Sequence, residues 1–127
     1  MTLVECAIVC AVVALLAAVS LPLMRSPGLR IARLDAVQAL MRLQAAQEQH
    51  RALHGLYAAD LQPLRGVAER SPQGLYRLSL ASTGPDAYRA SAVAQGAQIR
   101  DTDCATLTLD VHLGFAHEGP TPSCWNR

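Results

Sequence analysis

The sequence predicts an α+β domain. One long N-terminal α-helix, apolar through its first half, packs on a small antiparallel β-sheet. Three observations carry this expectation. Residues 1–24 hold one charged side chain, Glu5. Residues 27–54 repeat apolar side chains at helical spacing. Residues 76–111 contain three runs in which apolar and polar side chains alternate, as half-buried strands require.

The first element reads MTLVECAIVCAVVALLAAVSLPLM, with Thr2, Glu5 and Ser20 its only plainly polar residues. As a helix it would reach about 36 Å, enough to cross a bilayer or to line a filament core. Its Ala and Val content lets copies pack closely. Glu5 is costly there, about 2.5–3.5 kcal/mol at bilayer depth and less near an interface. Its best cationic partner is the α-amine of residue 1, in the same chain or in a neighbour packed with an axial offset. The other reading is an interfacial Glu that faces water. Pro22 removes the bond from its own nitrogen to the Ala18 carbonyl, and Ser20 can loosen the same turn. A simple kink there is the reading from the residues alone.

Ser26 suits an N-cap and Pro27 a first helical position, so a bend is expected near 26–28. A second, amphipathic helix should then run to His54 and stop at Gly55. Leu29, Ala32, Ala36, Leu40, Leu43 and Leu53 form its apolar stripe, with Arg33, Gln38, Arg42 and Glu48 on the other face. Residues 55–75 connect, anchored by Tyr57 and Leu61 and punctuated by Pro63, Gly66, Pro72 and Gly74. Strands are expected around Tyr76–Leu80, Tyr88–Ala92 and Leu107–Val111, the first two joined by a Gly84-Pro85-Asp86 turn. The short links suit an antiparallel meander. The chain thus divides into 1–24, 25–54 and 55–127.

Beyond residue 24 the chain carries 11 Arg and 9 acids, a formal +2, and no Lys anywhere. That balance makes no strong case for nucleic acid or an anionic membrane. Cys6 and Cys10 sit one turn apart in the apolar helix as small packing residues. Cys104 and Cys124 lie in polar surroundings and are candidates for a disulfide, which needs an oxidising compartment. Arg25, Arg30 and Arg33 follow the apolar run and would favour a cytoplasmic flank; the cysteines outweigh them.

Met1-Thr2-Leu3-Val4-Glu5 resembles the Phe-Thr-Leu-Ile-Glu start of mature type IV pilins, with Met in the usual Phe place. Pro22 falls where many type IVa pilins carry a helix-breaking proline, a likeness that implies a weakened or melted stretch between Ala14 and Met24 once assembled. The likeness continues through a long helix, a small sheet and two late cysteines, so it spans nearly the whole chain. The Pro27-Gly28 interruption departs from the family pattern. The resemblance implies the pilin fold, a removed leader and an N-methylated Met1. It implies that Glu5 meets the Met1 amine of a neighbour, and that Cys104 and Cys124 close a C-terminal disulfide loop with Trp125 as its lid. The implied function is that of a structural subunit of a type IV pilus, polymerising through the apolar helix and serving adhesion, twitching motility or DNA uptake. Its partners would be other pilins, an inner-membrane assembly platform and the membrane before assembly. Its location would be the inner membrane, then the extracellular fimbrium of a Gram-negative cell.

No catalytic constellation, phosphate-binding glycine loop or CxxC is present, so an enzyme, a cofactor or a bound metal is not expected. His50 and His54 have a spacing that can hold a metal, but a solvated helix face is the simpler reading. His112 and His117 read as strand-edge and loop residues. Asp101 and Asp103, with Asp110 beyond, read as turn-capping side chains rather than a calcium site. Calcium would matter for the alternative family, the pseudopilins of type II secretion, against which the two late cysteines argue. A DNA-binding minor pilin is the other alternative. It needs an exposed arginine strip, for which Arg65, Arg70, Arg77 and Arg89 are the candidates.

Overall fold

Good helix formers, Leu, Ala, Gln and Arg, fill residues 29–54, and no stop signal precedes Gly55. The computed structural model describes residues 2–127, with side chains throughout except at 19–27. One helix, α1 (Leu3–His54), covers the whole first part. Its N-cap is Thr2 and its C-cap is Gly55, at φ 82° with its N–H on the Arg51 carbonyl. The backbone is helical across Ser26-Pro27-Gly28, so the expected second N-cap does not open there. A proline costs one backbone bond in a helix, and long helix-forming runs on both sides outweigh that local loss. The weakening expected near Pro22 concerns the assembled filament, and its side chain lies outside the described set.

Four strands follow: β1 (Tyr76–Gly84), β2 (Ala87–Ala94), β3 (Thr106–His112) and β4 (Phe115–Gly119). They form one antiparallel sheet in the order β1-β2-β3-β4. The meander is as expected, and β4 is an addition. Its residues read in the sequence as a Gly/Pro-rich return. The two-residue turn Leu113-Gly114, at φ 51° and 83°, creates it.

Ala36, Ala39, Leu40, Leu43 and Gln47 form the buried stripe of α1. They face Ala90 and Ala92 of β2, whose small side chains let helix and sheet approach closely, and Leu107 and Leu109 of β3. Tyr76 and Tyr88, both fully buried, fill the two ends. Tyr57 is buried as expected and meets Tyr88 edge to face. Leu53 is a correction: it is 73% exposed, because the sheet ends before the last helical turn.

Arg33 is the larger correction. Placed by periodicity on the polar face, it is buried. Its Nε and Nη2 donate to the Asp101 carboxylate at 2.6 and 2.7 Å, and Nη1 donates to the Ser123 carbonyl at 3.3 Å. That partner holds the guanidinium above its ordinary pKa. Asp101 is correspondingly no turn cap: neither flanking 3-10 turn takes a side-chain cap bond from it or from Gln95. Cys104 and Cys124 form the disulfide, with Cα atoms 5.4 Å apart. Trp125 is buried beside it, and its Nε1–H donates to the Gly119 carbonyl at 2.9 Å.

Candidate nucleic-acid interface

The connecting segment 55–75 has almost no regular structure, so its placement rests on side chains of α1. Gln47 grips Ala58 twice, accepting its N–H at 2.8 Å and donating to its carbonyl at 2.9 Å. Asp35, buried, accepts from the Ser71 hydroxyl, from the Gln73 N–H at 3.0 Å and from the Leu75 N–H at 3.3 Å. Ser71 Oγ in turn accepts from the Tyr76 N–H at 3.0 Å. The segment is thereby pinned at both ends, and its outer surface carries arginines.

Arg70 and Arg77 face each other across an isolated antiparallel bridge at the free edge of β1. Like charges directly opposite in a sheet are destabilising. One carboxylate answers them, Glu69, at 3.9 Å from Arg77, and both members of that pair are mostly exposed. An ion pair so solvated contributes little. Arg70 also lines a groove of about 90 Å³ together with Arg42 of α1. Arg65 lines a second groove, of about 140 Å³, beside His50 and His54. Arg42, Arg65, Arg70 and Arg77 are all exposed. Among the described residues, the first three make no ion pair. Exposed arginines of which three make no ion pair, and the fourth only a solvated one, suit a polyanion.

Of the four arginines expected in such a strip, the structure pairs Arg70 with Arg77 and sets Arg65 at a second groove. Arg89 is the exception. It lies on β2 opposite Asp110 of β3, bound at two points, 2.6 and 3.0 Å. Its charge is already answered. Arg42 was missed, because helical periodicity shows that it is exposed but not that residues 66–72 fold back beside it.

The other expected site residues are separate from this strip. Glu5 closes a capping box: its carboxylate accepts the Thr2 N–H at 3.2 Å, and Thr2 Oγ1 accepts the Glu5 N–H at 3.4 Å. Met1 lies outside the described residues, so its amine does too. Leu3, Val4, Ile8, Leu15 and Leu16 are each more than half exposed on the lone chain. Among the described residues no helix is long and apolar enough to cross a membrane. The expected span over 1–24 lies in part beyond them. Among the described residues no group of three or more His, Cys, Asp or Glu could hold a metal ion.

A long helix with a bare apolar start, laid on an antiparallel meander that a C-terminal disulfide staples, is the architecture of a type IV pilin. The family described as "Type IV minor pilin ComP, DNA uptake sequence receptor" matches residues 22–108, and the chain belongs to that family. Comparison with curated protein sequences gave no match.

Proposed function

We propose that this chain is a minor subunit of a type IV filament that contacts DNA during uptake, through Arg42, Arg65, Arg70 and Arg77. One observation carries the reading: two arginines held opposite each other with a single solvated carboxylate, an arrangement that a phosphate backbone would relieve. The family description, which names a DNA uptake sequence receptor, supports it. It also favours a minor pilin over a pseudopilin. The role is binding, not catalysis.

The rest of the reading concerns assembly. Residues 1–24 hold the subunit in the inner membrane and then transfer into a bundle of like helices, exchanging lipid for protein contacts. Glu5 sets axial register by meeting the Met1 amine of a neighbour, since a misplaced subunit leaves a buried charge unpaired. The finished fibre lies outside a Gram-negative cell, where Cys104 and Cys124 stay oxidised.

The test is duplex binding by the full chain in detergent. Four phosphate contacts give a slope of log affinity against log salt of about −3.6, and each arginine removed lowers it by about 0.9. Alanine at 42, 65, 70 and 77 together should abolish binding. Unchanged affinity in that variant would sink the reading.

A further inference from the structure

We propose that His50 and His54 act with Arg65 to hold one phosphate of the DNA, and that this contact takes up protons. The inference rests on the DNA reading above and deepens it.

The two imidazoles stand one turn apart on α1 with ring centroids 4.4 Å apart. His50 Nδ1–H donates to the Leu56 carbonyl at 3.0 Å, since a carbonyl can only accept. That bond fixes the tautomer and leaves Nε2 as the site that protonates. The groove beside them, about 140 Å³, is lined also by Gln49 and Arg65, and by no carboxylate. Its polar lining is therefore one fixed cation, two groups that become cations, and an amide. Small oxyanions are bound by such a set.

The charged groups nearby are already engaged. On α1, Glu48 accepts from the Tyr57 hydroxyl at 2.8 Å. Arg51 donates to the same hydroxyl at 3.2 Å and reaches Asp86 of the β1–β2 turn at 3.9 Å. On the connecting segment the groove's own charge is Arg65, while Asp60 of the same segment lines a different groove, with Glu69. Tyr88, the titratable group of β2 beside Tyr57, stays buried. Glu48 keeps its charge but is turned to Tyr57, and no carboxylate lines the histidine groove.

The ordinary imidazole pKa, about 6.5, sets the window. Affinity for duplex DNA should rise by about tenfold or more as pH falls from about 8 to 5.5, since each proton bound with the ligand adds up to tenfold per pH unit. The probe is a duplex of fixed length, at constant salt, with the full chain in detergent. His50→Gln with His54→Gln should lose the gain at low pH and stay folded, because the glutamine amide still has an N–H for the Leu56 carbonyl. His112→Gln with His117→Gln should keep the gain. Imidazole resonances give a second readout on the unaltered chain: the midpoints of His50 and His54 should rise when duplex is added. Full pH dependence in the 50/54 variant, or midpoints that DNA does not move, would overturn the proposal and leave the DNA reading standing. Absence of duplex binding at every pH would overturn both.

Discussion

Arg33 and Asp101, 68 positions apart, form a two-point ion pair with both side chains nearly closed to solvent, 11% and 6% exposed. The pair fastens α1 to the 3-10 turns that lead into Cys104. Gln98, buried, adds bonds from its Nε2 to the Leu29 carbonyl at 3.0 Å and the Tyr76 hydroxyl at 2.9 Å. A desolvated pair of this kind gains little over an apolar pair of equal volume, but losing one member strands the other. Asp101→Asn or Asp101→Ala should therefore destabilise the domain by about 3–5 kcal/mol in urea unfolding. Arg33→Met with Asp101→Leu should cost less than either single change. A double variant as unstable as the sum of the singles would show that the pair does not act as a unit.

The disulfide holds the other side of the same corner. It closes a separation of 20 residues around β3 and β4. In the chain-entropy account such a loop is worth about 3 kcal/mol. Cys104→Ser should lower stability by about that amount, and reductant should do the same to the parent chain. The β4 edge and Trp125 should lose amide protection first, because the Trp125 bond to the Gly119 carbonyl ties the residue just past Cys124 back onto the loop. Equal stability with and without reductant would remove the staple's role.

Much of this was legible in advance, and the misses share a cause. Helical periodicity found α1, and two-residue alternation found β1, β2 and β3, because burial on one face repeats locally. The late cysteines were found by number and setting. What escaped depends on partners far away in sequence. Arg33 follows a polar pattern, and only the return of the chain at Asp101 takes it inside. Arg42 and Arg70 share a groove only because Gln47 and Asp35 fold the connecting segment back. Arg89 looked like a free cation until strand register set it opposite Asp110. β4 was not visible in the sequence: Leu113-Gly114 lacks the Asn-Gly or Asp-Gly pair that signals a two-residue hairpin, and Leu113 takes a positive φ that leucine seldom adopts.

Tyr88 has a fully buried hydroxyl with no hydrogen-bond partner among the described residues. Leaving such a group unpaired costs about 1–3 kcal/mol. Tyr88→Phe keeps the edge contact with Tyr57 and should be neutral or stabilising by about 1 kcal/mol in urea unfolding. A loss of stability would mean that the hydroxyl has a partner, such as a bound water.

Burial also raises the Tyr88 hydroxyl pKa, and it does the same for Tyr76 and Tyr57. The unfolded chain titrates its tyrosines near pH 10. Below that both states hold neutral phenols, and these groups give stability no slope. Above it the unfolded state loses protons first, so stability falls as pH rises. Tyrosinate absorbance should therefore appear together with loss of helical circular dichroism. Titration of all three near pH 10 in a chain that stays folded would contradict this.

Glu5 separates two roles that a single alanine variant would confuse. Its carboxylate caps α1 by accepting the Thr2 N–H, a local bond that Gln can also make. Its charge is what pairing with a neighbour's terminal amine would require. Glu5→Ala loses both, and Glu5→Gln loses only the charge. If register depends on the charge, both variants should enter filaments poorly while membrane insertion is unchanged. Sheared fibres, quantified by mass spectrometry for this chain, give the readout. Normal incorporation of Glu5→Gln beside failure of Glu5→Ala would assign the residue to capping. Normal incorporation of both would end the charge-pairing account of assembly.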